Sequence, residues 1–268
     1  MNKKLGFIGA GNMGAAIIGG VVKAGVAEAS DITASDLDKG LLQKMADTHG
    51  IHITSTNIDV AQSADLLFIC VKPHIYEIVI REIKDFLKPD AVVVAIAAGI
   101  TLDWLTAKLA PFNKIVRVMP NTPALVNCGM TAICPGESLK DEDTQTVLKI
   151  FNSCGKAEIL PERLFDAFTG VAGSAPAYVF MFIEAMADAG VKYGLPRAQA
   201  ISFSAQTVLG AAQMVLQTKE HPAVLKDAVC SPGGTTIEAV CELEKQGFGN
   251  AVISAISACV EKSLKMKN

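Results

Sequence analysis

Leu5-Gly6-Phe7-Ile8 is a short apolar run that breaks at once into Gly9-Ala10-Gly11-Asn12-Met13-Gly14, and small and aliphatic residues follow through position 22. Strand, glycine turn and helix in that order make a dinucleotide clamp. Gly9 permits the tight turn, Gly11 lets backbone approach a pyrophosphate, and Gly14 lets helix and strand pack closely. The phosphates are expected on the helix N-terminus, where unpaired N–H groups and the dipole favour an anion.

The 268 residues suffice for two domains, and the pattern divides them at 1–163 and 164–268. Half the residues are hydrophobic and only 19% are charged, so part of the apolar surface is expected to meet another chain. A net charge of −3 with scattered lysines gives no basic face for nucleic acid. The seven cysteines have no C-x-x-C spacing, which reads as mostly buried, reduced thiols of a cytoplasmic protein. No metal site is expected, because His49 and His52 have no carboxylate cluster and His74 and His221 are isolated. The lysines near the N-terminus precede the glycine turn rather than a signal h-region. The uncharged stretch over 167–183, interrupted by Gly170, Gly173 and Pro176, reads as too short to span a bilayer.

Strand two is expected at 31–35, and its exit decides cofactor choice. Ala34 and Ser35 leave room for a 2′-phosphate and Lys39 adds charge, whereas Asp36 opposes it; Asp36 reads equally as a ribose ligand or a helix N-cap. Apolar runs at 64–71, 91–96 and 114–119 read as strands buried on both faces. Alternation with helices gives an α/β fold, a doubly wound, mostly parallel Rossmann-type sheet with ligands beyond the carboxyl ends of its strands. Lys72, Pro73, Ala97, Ala98, Asn121 and Thr122 therefore become the binding candidates. Two more short strands at 131–134 and 157–160 flank a helix over 140–153. After about residue 164 the chain turns all-α, with helices at 176–193, 196–218, 222–229, 235–245 and 250–265 and Ser174 as an N-cap. A flexible stretch at 170–178 and the Cys230-Ser231-Pro232-Gly233-Gly234-Thr235-Thr236 turn invite chemistry, the latter because hydroxyls and N–H groups at a helix start suit a carboxylate.

Gly6-Phe7-Ile8-Gly9-Ala10-Gly11-Asn12-Met13-Gly14, Val71-Lys72-Pro73, Ala97-Ala98-Gly99, Met119-Pro120-Asn121-Thr122-Pro123-Ala124 and Asp227-Ala228-Val229-Cys230-Ser231-Pro232-Gly233-Gly234-Thr235-Thr236-Ile237 together resemble pyrroline-5-carboxylate reductase over essentially the whole chain. The resemblance implies reduction of the cyclic imine pyrroline-5-carboxylate to L-proline by NADPH, with NADH also possible, and an all-α C-terminal dimerisation domain that assembles dimers or decamers. It places Asn12 and Met13 at the pyrophosphate, Asn57, Val71 and Lys72 along the adenosine and ribose, and Ala98 near the nicotinamide. Thr236 then faces the substrate ring nitrogen from the helical half, while Gly233, Gly234 and Thr235 hold its carboxylate. The Ala34-Ser35-Asp36 segment departs from the family's serine or Ser-Pro pattern, which puts strict NADPH preference in question. Two rivals are a hydroxyacid dehydrogenase of the 3-hydroxyisobutyrate or 6-phosphogluconate type and a non-catalytic NADPH-binding regulator. The first needs a lysine base early in the interdomain helix, and residues 176–184 hold none; the second has no need of the Ser231–Thr236 turn.

Overall fold

The structure, a computed structural model, describes residues 3–96, 98–112 and 114–266. Strands and helices alternate from the N-terminus: β1 (Leu5–Ile8), α1 (Asn12–Lys23), β2 (Ile32–Ser35), α2 (Lys39–His49), β3 (His52–Thr54), α3 (Asn57–Ser63), β4 (Leu66–Ile69), α4 (Tyr76–Ile83), β5 (Val92–Ile96), α5 (Leu102–Leu109) and β6 (Ile115–Met119). Next come β7 (Gly129–Pro135), α6 (Asp141–Asn152), β8 (Gly155–Ile159) and the single turn α7 (Phe165–Phe168). The remainder is helical: α8 (Ala175–Lys192), α9 (Arg197–Thr218), α10 (Pro222–Ala228), α11 (Thr235–Lys245) and α12 (Phe248–Lys265).

The strands form one sheet in the order β3-β2-β1-β4-β5-β6-β7-β8, parallel except where β7 runs against β6. Period-two alternation assigns each strand's side chains to two cores. Leu5, Phe7, Leu66 and Phe68 join α1, α2 and α6 on one face, whereas Ile8, Leu67 and Ile69 join α3, α4 and α5 on the other. Phe7 and Phe68 stack with ring centroids 4.6 Å apart, and each such buried side chain contributes about 1.5–3 kcal/mol. Both faces being covered is why β1, β4 and β5 read as unbroken apolar runs. β3 escaped the sequence reading because its three residues at the sheet edge are too short and too polar to show a period.

Two compact units result, one of residues 1–174 with 259–268 and one of residues 175–258. The expected flexible stretch at 170–178 is instead helical. Thr169–Gly173 form a π-helical turn, Ser174 N–H donates to Thr169 O at 2.8 Å, and Ser174 has helical angles (φ −97°, ψ −20°), so it is not an N-cap. The glycines and Pro176 therefore do not interrupt the run, which extends over Glu162–Lys192 for 31 residues and by length and composition alone could cross a membrane. This corrects the expectation that it is too short.

The 175–258 unit has very little core of its own. Ala187, Ala200 and Ser204 are its buried residues, while Phe180, Met181 and Phe203 stand 62%, 68% and 55% exposed. Of the cysteines, Cys134 and Cys154 are buried, Cys128 and Cys241 exposed, and Cys70, Cys230 and Cys259 half-buried, so burial of most thiols does not hold within one chain. A helical unit without a core gains stability only when another surface covers it. Thermal unfolding is therefore expected to depend on protein concentration, with the Tm falling by about 2 °C for each tenfold dilution. Scanning calorimetry over a hundredfold concentration range checks this, and a constant Tm contradicts it.

Candidate functional site

The switch in strand order lies between β1 and β4, where the two halves of the sheet diverge and leave a crevice at the carboxyl ends. Into it runs the glycine turn. Gly9 has φ +100°, which side chains rarely tolerate, and a Cβ there would also lie 2.9 Å from the Cys70 carbonyl oxygen. At Gly14 the backbone of α1 passes so close to the Gly9 carbonyl that a Cβ would overlap it at 2.3 Å. Gly11 differs from both, since a Cβ there would meet nothing within 4 Å. The fold itself requires Gly9 and Gly14 to be glycine, whereas Gly11 leaves space that no protein atom uses. No side chain caps α1 at Gly11, so its first N–H groups face that space.

The space belongs to a cavity of about 640 Å³. Of the sequence-predicted residues, Gly9, Gly11, Asn12, Met13 and Asp36 line one side, and Val71, Lys72, Pro73, Ala98 and Thr122 line the rest. Cys70, Ile96 and Met119 also line it and were not anticipated, because apolar strand-end residues look like core in a sequence. Burial pushes the Cys70 thiol up to about 12, so it stays neutral and is no nucleophile. Ala97 lies outside the described residues.

The predicted residues that do not line the cavity hold its walls. Ser35 is buried and donates to Asn57 Oδ1 at 2.7 Å, and Asn57 Nδ2 donates to Glu82 at 2.8 Å. Asn121 accepts from Met130 N–H at 2.9 Å and donates to the Ala172 carbonyl at 2.9 Å. That carbonyl needs a donor because Pro176, four residues on, has no N–H to offer it. Asp36 is neither free nor an N-cap. Its Oδ2 accepts from Ala10 N–H at 2.6 Å and its Oδ1 from Asp38 N–H at 2.9 Å, while Asp38 caps α2 by accepting from Leu41 N–H. Asp36 thus ties the glycine turn to the exit of β2. It also borders a second hollow of about 440 Å³ lined by Leu37, Lys39 and Ser55.

Tyr76, which sequence reasoning missed, is fully buried; its hydroxyl donates to the Ile69 carbonyl and accepts from Ile96 N–H at 2.7 Å. Burial holds its phenol well above the usual range, so it acts only as a neutral hydrogen-bonding group.

In the helical unit, Ser231-Pro232-Gly233-Gly234 forms a turn closed by Gly234 N–H on the Ser231 carbonyl at 3.0 Å. Gly233 has φ +65°, and Gly234 starts α11 in extended conformation with no side-chain cap. Ser231, Thr235 and Thr236 are exposed, and among the described residues their side chains bond to nothing in the unit. This is an uncapped helix start carrying free hydroxyls, chemistry that suits a carboxylate and a polar ring atom.

Residues 162–266 match the family model described as pyrroline-5-carboxylate reductase dimerisation, and residues 4–99 match that described as NADP oxidoreductase coenzyme F420-dependent. The chain is 52% identical over 266 residues to pyrroline-5-carboxylate reductase of Escherichia coli strain K12, covering 99% of each chain. Among solved structures it resembles the pyrroline carboxylate reductase of Plasmodium falciparum, determined with NADP bound, at TM-score 0.90 and 35% identity, with 100% of this chain and 99% of that one covered. It also resembles the Coxiella burnetii pyrroline-5-carboxylate reductase at TM-score 0.93 and 31% identity, covering 100% of both chains.

The glycines give a direct test of the cavity. Gly11→Val is expected to leave the Tm within about 1 °C, because the side chain enters open space, while weakening NADPH binding at least tenfold. Gly14→Ala is expected to lower stability by about 1–3 kcal/mol, as overpacking does, and binding with it. Calorimetry and NADPH fluorescence titration separate the two outcomes.

Proposed function

The chain belongs to the pyrroline-5-carboxylate reductase family, and on that premise we propose which of its residues carry the reduction of 1-pyrroline-5-carboxylate to L-proline by NAD(P)H. The observation that carries the reading is the cavity at the strand switch, where Gly11 leaves room at an uncapped helix N-terminus that the fold does not need. Gly9, Gly11, Asn12 and Met13 form the pyrophosphate cradle, with Lys72 supplying positive charge beside it, and Gly14 serves it from behind by letting α1 pack on the Gly9 carbonyl. Val71, Pro73 and Ala98 complete the cofactor wall, which Ser35, Asn57 and Asn121 support from behind.

When bound, the reduced nicotinamide supplies a hydride. An imine carbon made electrophilic by protonation of the ring nitrogen accepts it readily, so the protein's share is orientation and exclusion of water. We assign the substrate carboxylate to Ser231, Gly233, Gly234 and Thr235, whose amides and hydroxyls stand at the start of α11. Thr236 hydrogen-bonds the ring nitrogen and orients it as it becomes an amine. A threonine hydroxyl has no pKa near neutrality, so its contribution is positional rather than that of a strong acid.

NADPH is our preferred cofactor. Two backbone amides donate to the Asp36 carboxylate and offset the charge it sets against a 2′-phosphate, while Lys39 and Ser55 line the adjoining hollow. We place the functional boundary at 163/164, a division supported by the family match that starts at residue 162. The exposed apolar residues of the helices favour a homodimer as the building block, with a decamer as the larger assembly and another copy, not lipid, covering Glu162–Lys192. Free thiols at all seven cysteines suit a reducing cytoplasm, and the net charge of −3 suits a small anionic substrate better than nucleic acid.

Steady-state reduction of pyrroline-5-carboxylate followed at 340 nm with each cofactor tests the assignment. Turnover with NADPH well above that with NADH is expected; no turnover with either sinks the reading. Thr236→Ala is expected to lower kcat by about ten- to a hundredfold, the scale of one lost orienting contact, with NADPH affinity unchanged. Wild-type turnover in that variant removes Thr236 from the mechanism.

A further inference from the structure

The cofactor cavity reaches Ala98, and the segment that carries it is held on each flank by a side chain from elsewhere in its unit. On one flank Ile96 N–H donates to Tyr76 Oη at 2.7 Å, and the same hydroxyl donates onward to the Ile69 carbonyl. That places a buried phenol where β4 and β5 part. On the other flank Leu102 N–H, the first amide of α5 and so without a partner in its own helix, donates to Glu162 Oε1 at 2.7 Å. Thr101, which precedes it, caps the helix by accepting from Trp104 N–H instead. Glu162 is itself fixed, because the same Oε1 receives Arg117 Nη1 at 2.7 Å. Arg117 is 4% exposed and lies 4.6 Å from the centre of the Phe165 ring.

Neither contact is a rung of the sheet or of a helix; each ties one element to another. Gly99 sits between the two anchors at φ +79°, where the Met266 backbone passes so close that a Cβ would lie 3.3 Å from its carbonyl oxygen; the side-chain bonds to the turn's flanks are those of Tyr76 and Glu162. Asn121, by contrast, holds the β6 turn, and the glycine turn is tied separately by Asp36. The pyrophosphate and nicotinamide ends of the cavity therefore have independent supports.

We propose that Tyr76 and Glu162 are positioning residues for hydride transfer, a two-point clamp that fixes the height of Ala98 at the nicotinamide end of the cavity. The proposal rests on the cofactor placement given above. Hydride transfer depends steeply on the separation and alignment of donor and acceptor, and about 1 Å of misplacement costs on the order of a hundredfold. Cofactor affinity comes largely from the pyrophosphate end, so releasing the clamp lowers turnover and leaves binding in place.

Tyr76→Phe keeps the buried ring and removes both hydroxyl bonds. Glu162→Ala removes the acceptor from Leu102 N–H and Arg117, while Glu162→Gln keeps an oxygen there. Binding sites are counted by NADPH fluorescence titration, so that kcat is expressed per functional site and loss of folded protein does not enter. The expected result is a kcat per site about tenfold lower in Tyr76→Phe and in Glu162→Ala, a Kd for NADPH within about twofold of wild type, and recovery of most of kcat in Glu162→Gln. A kcat per site at the wild-type value in both first variants, or a Glu162→Gln as impaired as Glu162→Ala, overturns the clamp. Ala98→Leu is the companion variant. Where it blocks NADPH binding or turnover while the clamp variants behave as wild type, only the clamp is refuted. Where Ala98→Leu has no effect, the cofactor placement is refuted and the clamp falls with it.

Discussion

The nucleotide unit depends on one close approach of backbone to backbone. Helix α1 passes over the Gly9 carbonyl at a distance that admits no side chain at Gly14, and Gly9 itself turns with φ +100° against the Cys70 carbonyl. Together these contacts bring the ends of β1 and β4 to the start of α1 and open the crevice where the strand order switches. A larger residue at either position would push α1 off the sheet, and with it the Ile17, Ile18 and Val21 side chains that fill one of the two cores. The site and the core on that face are in this sense one construction.

Around the cavity, backbone amides are met by polar side chains from different parts of the chain. Asp36 holds Ala10, Tyr76 holds Ile96, Glu162 holds Leu102 and Asn121 holds Met130. Loops at the ends of parallel strands have backbone groups that the ladder no longer satisfies, and a buried amide without a partner costs about 1–3 kcal/mol. Side chains that meet those amides therefore stabilise the loops and fix their positions together. That double duty suits a reaction whose protein contribution is alignment more than acid–base chemistry.

The helical unit follows a different logic. Its aliphatic and aromatic side chains are largely uncovered in one chain, and its residues match the dimerisation model of the family. Apolar surface of this kind gains stability when it is removed from water, which fits a unit of the family's dimerisation type.

Much of this was legible in the residues. Local patterns carry local structure, so Gly9-x-Gly11-x-x-Gly14, the apolar runs of β4, β5 and β6, and the positions of α8 to α12 followed from period, glycine and proline. The cavity-lining residues at strand ends followed from the rule that ligands gather there. What the sequence alone did not determine was set by contacts between distant residues. Asp36 read as a ribose ligand or a cap; it lines the cavity, leaves the cap to Asp38, and bonds Ala10, 26 positions away. Asn121 read as a binding candidate at a strand end, and no pattern in the chain pointed to its bond with Ala172, 51 positions away. Tyr76 and Glu162 gave no signal, since a tyrosine on the apolar face of an amphipathic helix and a glutamate after a proline resemble ordinary core and surface residues. Only the tertiary structure assigns these partners, because a hydrogen bond across the fold leaves no period or spacing in the chain.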